Sequence, residues 1–84
     1  MKYCVITFRS ITPAQRGESV LKRMGISCFI QRRPRWMENR GCGYSLRVNS
    51  SSTTEAVELL RSAEVNYQKV YLYRDKDHVE EMEI

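Results

Sequence analysis

Four short runs of β-branched and aromatic residues alternate along the chain with two longer segments in which apolar residues recur at helical spacing. The runs KYCVITF, SCFIQ, YSLRV and NYQKVYLY have the length and composition of β-strands. Within YSLRV, the side chains of Tyr44, Leu46 and Val48 alternate with polar ones, so we expect one face of this strand to be buried. The pattern therefore predicts four strands.

The two longer segments carry signals of helix beginnings and ends. TPAQRGESVLKRMG has Thr12 as a candidate N-cap, Pro13 at the first helical position and Gly25 at its end, with Gly17 as a weak point inside. SSTTEAVELLRSA has Ser52 and Glu55 in capping-box spacing, followed by apolar residues at helical spacing. Each segment is predicted to form one helix.

The order of these elements is β-α-β-β-α-β, which indicates an α+β protein of the ferredoxin-like class. We expect a four-stranded antiparallel sheet with both helices on one face. Residues 1–73 would form this single domain. Residues 74–84 would be an acidic C-terminal tail that is frayed or forms a short extra helix.

Length and composition narrow the class of protein. A chain of 84 residues can bury one modest core. It contains no apolar run of about 18 residues and does not begin like a signal peptide. Three cysteines without dense spacing fit a reducing compartment better than a disulfide framework. These features predict a cytoplasmic protein with free thiols.

The net charge of +4 is unevenly distributed. Residues 1–48 hold ten Lys and Arg against two Glu, whereas residues 49–84 hold four Lys and Arg against eight Asp and Glu. One part of the surface should therefore be electropositive and attract phosphates, nucleic acid, small anions or an acidic protein. Charge alone does not choose among these partners, and a merely solvated basic surface is an equal alternative.

Cys42 stands between Gly41 and Gly43, which is unusual for a cysteine of the core. In the predicted topology the third strand lies between the first and second, so the loop before it should approach the segment RSITP. Cys42 would then lie near the N-terminus of the first helix, where Arg9, Ser10 and the helix dipole favour a thiolate. The two glycines would leave the sulfur accessible and allow a sharp turn of the backbone.

The segments YCVITFRS, KRMGI and PRWMENRGCGYSLRV resemble a bacterial family of selenium/sulfur carrier-like proteins, over roughly residues 3–73. The specific parts of the resemblance are FRS and the pattern P-R…G-C-G-x-x-L-R. It implies that the Cys42-Gly43 pair is the chemical feature. By analogy with small sulfur-relay proteins, it implies a carrier of a persulfide rather than a true enzyme.

The hypothesis that follows is that Cys42 accepts sulfur or selenium from a donor such as a cysteine desulfurase and passes it to an acceptor protein. The persulfide or selenylsulfide anion would be held by the helix N-terminus and by Arg9, Arg35 or Arg40. No cofactor and no metal is expected, since the cysteines and His78 lack zinc-site spacing.

Other interpretations remain open. Cys42 could be a small residue at a strand edge, or a thiol redox sensor without a transfer partner. The chain could instead be a nucleic-acid or protein-binding module, because Tyr3, Lys69, Tyr71 and Tyr73 with Arg47 would line the open face of the sheet. The same tyrosines equally suit a homodimer through that face or plain cross-strand packing, and we favour these over RNA. Cys4 and Cys28 lie within apolar runs and are assigned to the core.

Overall fold

The structure, a computed structural model, describes residues 3–32, 43–75 and 78–82. Its strands and helices, in chain order, are β1 (Tyr3–Phe8), α1 (Ile11–Arg23), β2 (Cys28–Arg32), β3 (Tyr44–Asn49), α2 (Thr53–Ser62), β4 (Val70–Asp75) and β5 (His78–Met82). A 3₁₀ turn, Ser50–Ser52, leads into α2.

The strands form one antiparallel sheet in the order β2-β3-β1-β4-β5. Alternate residues of β1, namely Cys4, Ile6 and Phe8, join the core together with Leu21 of α1 and Leu60 of α2. Both helices therefore cover the same face of the sheet, and the opposite face carries no helix among the described residues. The α+β class and the position of β3 between β1 and β2 are confirmed.

The prediction of four strands was wrong, because the described residues form a sheet of five. Residues 78–82, predicted to belong to an acidic tail that is frayed or helical, form β5 and pair with β4, as in Tyr73↔Val79 and Tyr71↔Glu81. The sequence of β5 does not show the alternation typical of a strand, since Val79 is the only apolar residue among the first four residues of β5. Exposed charged residues such as Glu80 and Glu81 are common on edge strands, where they discourage pairing with another chain.

The helix beginnings differ in detail from those expected. α1 begins at Ile11 with Ser10 as its N-cap, so Thr12 and Pro13 lie in its first turn. α2 has Ser52 at the predicted N-cap position, but the Ser52 side chain forms no capping hydrogen bond. Both helices end near the predicted positions, and Gly25 follows α1 with a φ of +83°.

Neither helix of the described residues is long and apolar enough to span a bilayer.

Candidate functional site

Three strands meet at the edge of the sheet where β1 ends. Arg32 at the end of β2 pairs with Tyr44 at the start of β3, and Tyr44 also pairs with Phe8 at the end of β1. Gly43 precedes β3 so closely against β1 that a Cβ atom placed on it would lie 3.2 Å from the Phe8 carbonyl oxygen. The end of β2, the start of β3 and the turn into α1 therefore meet, as the topology predicts.

Arg9 and Ser10 follow Phe8 directly and connect β1 to α1. Both are exposed, and the side chain of Ser10 makes no capping hydrogen bond although it occupies the N-cap position. The first turn of α1 contains no acidic residue. An anion at this end of the sheet would therefore meet the positive end of the helix dipole without a competing carboxylate from that turn.

Of the predicted site residues, the structure brings together Arg9, Ser10 and Gly43. Cys42, Gly41, Arg35 and Arg40 lie outside the described residues. Gly43 allows β3 to approach β1 closely, because a side chain at this position would be crowded against the Phe8 carbonyl oxygen.

The two described cysteines belong to the core and not to this end of the sheet. Cys4 is fully buried and Cys28 is 7% exposed, and both are free thiols. Burial raises the pKa of the Cys4 thiol, partly opposed by a hydrogen bond with Thr53. Burial also raises the pKa of Cys28, as does the neighbouring Glu18 carboxylate, while Lys22 lowers it. Both thiols are therefore poor nucleophiles at neutral pH, since the thiolate is the reactive form.

Residues 3–32, 43–75 and 78–82 contain no group of three or more His, Cys, Asp or Glu side chains that could hold a metal ion.

A cavity of about 860 Å³, which the sequence did not predict, lies beside Arg9 and Ser10. Its other walls are the first turns of α1 and residues 64–69, the segment that leads from α2 into β4. Backbone hydrogen bonds between Thr7 and this segment hold it against the end of β1, with distances of 2.9 Å to the Lys69 carbonyl and 2.8 Å from the Gln68 amide. The only feature of the sequence that pointed to an anion-binding site here was the basic character of the N-terminal half.

The sheet face without helices carries a row of aromatic and cationic side chains, which we call the open face. The Tyr3 and Tyr73 rings stack with centroids 4.6 Å apart, and the Arg47 guanidinium lies 3.8 Å from the centroid of Tyr3. The same guanidinium lies 5.7 Å from the centroid of Phe29. The predicted placement of Tyr3, Arg47 and Tyr73 on this face is confirmed, and Phe29 is an addition.

Comparison with known proteins gives one result. Residues 3–72 match the family described as "Putative Se/S carrier protein-like". No curated protein and no solved structure matches the chain. Since the match covers most of the 84 residues, the chain belongs to the Se/S carrier protein-like family.

Proposed function

We propose that this protein carries sulfur or selenium as a persulfide or selenylsulfide on Cys42 and relays it between a donor and an acceptor protein. The observation that supports the proposal most is the packing of Gly43 against the end of β1. Cys42 precedes Gly43 in the sequence, so the covalent chain ties it to the strand end from which Arg9 and Ser10 continue. The family membership is consistent with a carrier.

The transfer needs two nucleophilic displacements and no external oxidant. The Cys42 thiolate attacks the terminal sulfur of a persulfide on the donor, the sulfur–sulfur bond of the donor breaks, and the donor leaves as a thiolate. A nucleophile of the acceptor then attacks the outer sulfur of Cys42, which is released as a thiolate. Selenium in place of the outer sulfur gives the selenylsulfide in the same way. A cysteine desulfurase has the required donor chemistry.

The anionic persulfide requires stabilisation, and we assign this to residues at the same sheet end. Arg9 and the Ser10 hydroxyl stand at the N-terminus of α1, where backbone N–H groups are unpaired. Arg35 and Arg40 are further candidates from the sequence, and Gly41 with Gly43 would leave a path for the bulky donor and acceptor proteins. No resident cofactor is needed, and a reducing cytoplasmic environment would suit the free thiols.

The scaffold proposed for this chemistry is a ferredoxin-like unit of β1–β4, α1 and α2, to which β5 adds a fifth strand. The order β2-β3-β1-β4 and the two helices on one face support this description. It matters for function because it brings the segment before β3 back to the β1–α1 turn.

The test is mass spectrometry of the intact protein and its peptides after incubation with a cysteine desulfurase and cysteine. Wild type should gain one sulfur atom on Cys42, and a reductant should remove it. Cys42→Ser should gain none, because Cys4 and Cys28 are buried thiols with raised pKa values.

Cys28→Ala is the matched control and should gain sulfur like wild type. Equal labelling of wild type and Cys42→Ser would exclude Cys42 as the carrier. Oxidation of Cys42 by peroxide, with no labelling by any desulfurase, would instead support the redox-sensor interpretation.

We also propose that the open face is the contact surface of a homodimer. Among the described residues, the two cations of this face both have partners: the Lys69 ammonium lies 3.2 Å from the Glu81 carboxylate, and Arg47 packs between the rings of Tyr3 and Phe29. A surface with paired charges, the exposed Phe29 ring and half-buried tyrosines fits a second copy of itself better than the phosphates of a nucleic acid.

A further inference from the structure

The cavity beside α1 extends well beyond Arg9 and Ser10, the two lining residues that the proposed carrier chemistry also uses. Its lining includes three cationic residues, Arg9, Arg16 and Lys69, which come from three separate parts of the chain. Among the described lining residues, Glu64 is the only carboxylate. The cavity therefore carries an excess of positive charge, which favours an anionic ligand.

Within the part of the chain that the structure describes, two of the three cations have no carboxylate partner. The Arg16 guanidinium donates a hydrogen bond of 3.3 Å to the Ala63 carbonyl, a neutral acceptor. Arg9 forms no ion pair with any residue in the part of the chain that the structure describes. Lys69 differs, since its ammonium pairs with the Glu81 carboxylate, so the uncompensated positive charge comes from Arg9 and Arg16.

The rest of the lining is suited to an organic group. Pro13 and the half-buried Tyr67 supply apolar surface, whereas Val65 is only 4% exposed. The Tyr67 ring is positioned by packing against the core and by a 3.2 Å hydrogen bond from Arg61 to its hydroxyl. The volume of about 860 Å³ is in the range of pockets that hold organic ligands and is far larger than an inorganic anion requires.

We propose that this cavity binds an organic monophosphate, with the phosphate held by Arg9 and Arg16 and the organic group against Pro13 and Tyr67. Arginine suits this role because its planar guanidinium can donate two parallel hydrogen bonds to phosphate oxygens. The Ser10 hydroxyl, at the mouth of the same cavity, is a further donor. The binding does not depend on the proposed transfer of sulfur by Cys42.

The experiment is isothermal titration calorimetry of the full chain with AMP, adenosine and inorganic phosphate, each at millimolar concentration. AMP should bind more tightly than either part alone, because only AMP occupies both the basic and the apolar walls. Arg9→Gln and Arg16→Gln should each weaken AMP binding about tenfold, the effect of losing one hydrogen bond between charged groups.

Matched controls are Arg74→Gln, at the opposite end of the sheet, and Arg23→Gln, in the last turn of α1. Both remove an exposed arginine outside the cavity and should leave AMP binding unchanged. Glu64→Gln removes the lining carboxylate and should strengthen AMP binding about two- to fivefold, because the repulsion of the phosphate is removed. A gain of affinity cannot arise from damage to the fold.

Absence of AMP binding to wild type would overturn the proposal. So would equal loss in the cavity variants and the controls, equal binding of AMP and adenosine, or binding of inorganic phosphate as tight as that of AMP. Sulfur labelling of Cys42 is measured separately, so failure here is distinguishable from failure of the carrier function.

Discussion

Gly17 shows how one residue sets the distance between a helix and the sheet. A Cβ atom at this position would lie 3.1 Å from Leu46, 3.2 Å from Leu60 and 3.3 Å from Phe8, measured to their side-chain tips. All three of these neighbours are fully buried. The absence of a side chain therefore lets α1 approach both β3 and α2.

Gly17→Ala is expected to lower the free energy of unfolding by about 1 kcal/mol. Crowding of the buried neighbours costs about 1–3 kcal/mol, and the better helix propensity of alanine offsets about 1 kcal/mol of this. Gly17→Leu should be much more destabilising. Urea denaturation followed by circular dichroism measures both changes.

Ser19→Ala is the matched control, because Ser19 is exposed on the same helix. It changes propensity without crowding and should be neutral or slightly stabilising. If Gly17→Ala were as stable as Ser19→Ala, the close packing would not be the reason for glycine here.

At this scale the sequence was informative where a residue's neighbours in the chain determine its environment. The burial of Cys4 and Cys28 follows from the apolar strands that contain them. Gly17 was interpreted only as a weak point of a helix, because its function depends on Leu46 and Leu60, which are distant in the sequence. The place of Gly43 at the β1 end was predictable, because strand order alone fixes it.

Both helices end in the same backbone arrangement, a Schellman motif. After α1, the Ile26 amide donates to the Leu21 carbonyl over 2.9 Å and the Gly25 amide to Lys22 over 3.0 Å. After α2, the Val65 amide donates to the Leu60 carbonyl over 2.9 Å and the Glu64 amide to Arg61 over 3.1 Å. The motif requires a left-handed residue, which is Gly25 in one case and Glu64, with a φ of 56°, in the other.

Opposite stability changes are expected at these two positions. Gly25→Ala should lower the free energy of unfolding by about 1 kcal/mol, because a Cβ atom disfavours positive φ and no contact there compensates. Glu64→Gly should raise it by about 0.5–1 kcal/mol by relieving the same strain. Thermal and urea denaturation of both variants give the two signs.

Glu58→Gly, in the exposed interior of α2, is the control for Glu64→Gly and should be destabilising by about 1 kcal/mol. Destabilisation by Glu64→Gly of the same size would show that the left-handed conformation of Glu64 carries no strain.

The sequence predicted elements whose boundaries have chemical markers and missed those that lack them. Gly25 marked the end of α1, whereas nothing marked Glu64 as a left-handed residue. β4 begins at Val70 rather than near Asn66, because residues 65–69 lie against the end of β1 as a loop. β5 was missed because an edge strand with charged residues lacks the apolar alternation on which the prediction depends.

The whole molecule separates three surfaces that the order of its elements creates. The helices cover one face of the sheet, the basic end gathers Arg9, Ser10 and Gly43, and the open face presents Phe29 and the tyrosines. Transfer chemistry at the basic end would leave the open face free for another contact. The composition predicted only that one part of the surface is electropositive, and the cavity beside Arg9 also depends on residues 64–69, which belong to the acidic half of the chain.

On the open face, Phe29 is an exposed large apolar side chain, at 49%, and Arg47 lies between it and the half-buried Tyr3. If this face forms the homodimer, Phe29→Lys should raise the dimer dissociation constant at least tenfold. Full burial of such a side chain contributes about 1.5–3 kcal/mol, and the added charge lies near Arg47.

Met24→Lys, at a position 60% exposed beyond α1, is the matched control and should leave the dimer intact. Analytical ultracentrifugation distinguishes the dimer from the 9.9 kDa monomer. A wild-type protein that sediments as a monomer at every concentration, or a dimer that Met24→Lys dissociates equally, would contradict the assignment. Salt-dependent binding of RNA oligomers, lost in Tyr71→Ala and Arg47→Ala, would instead show that this face binds nucleic acid.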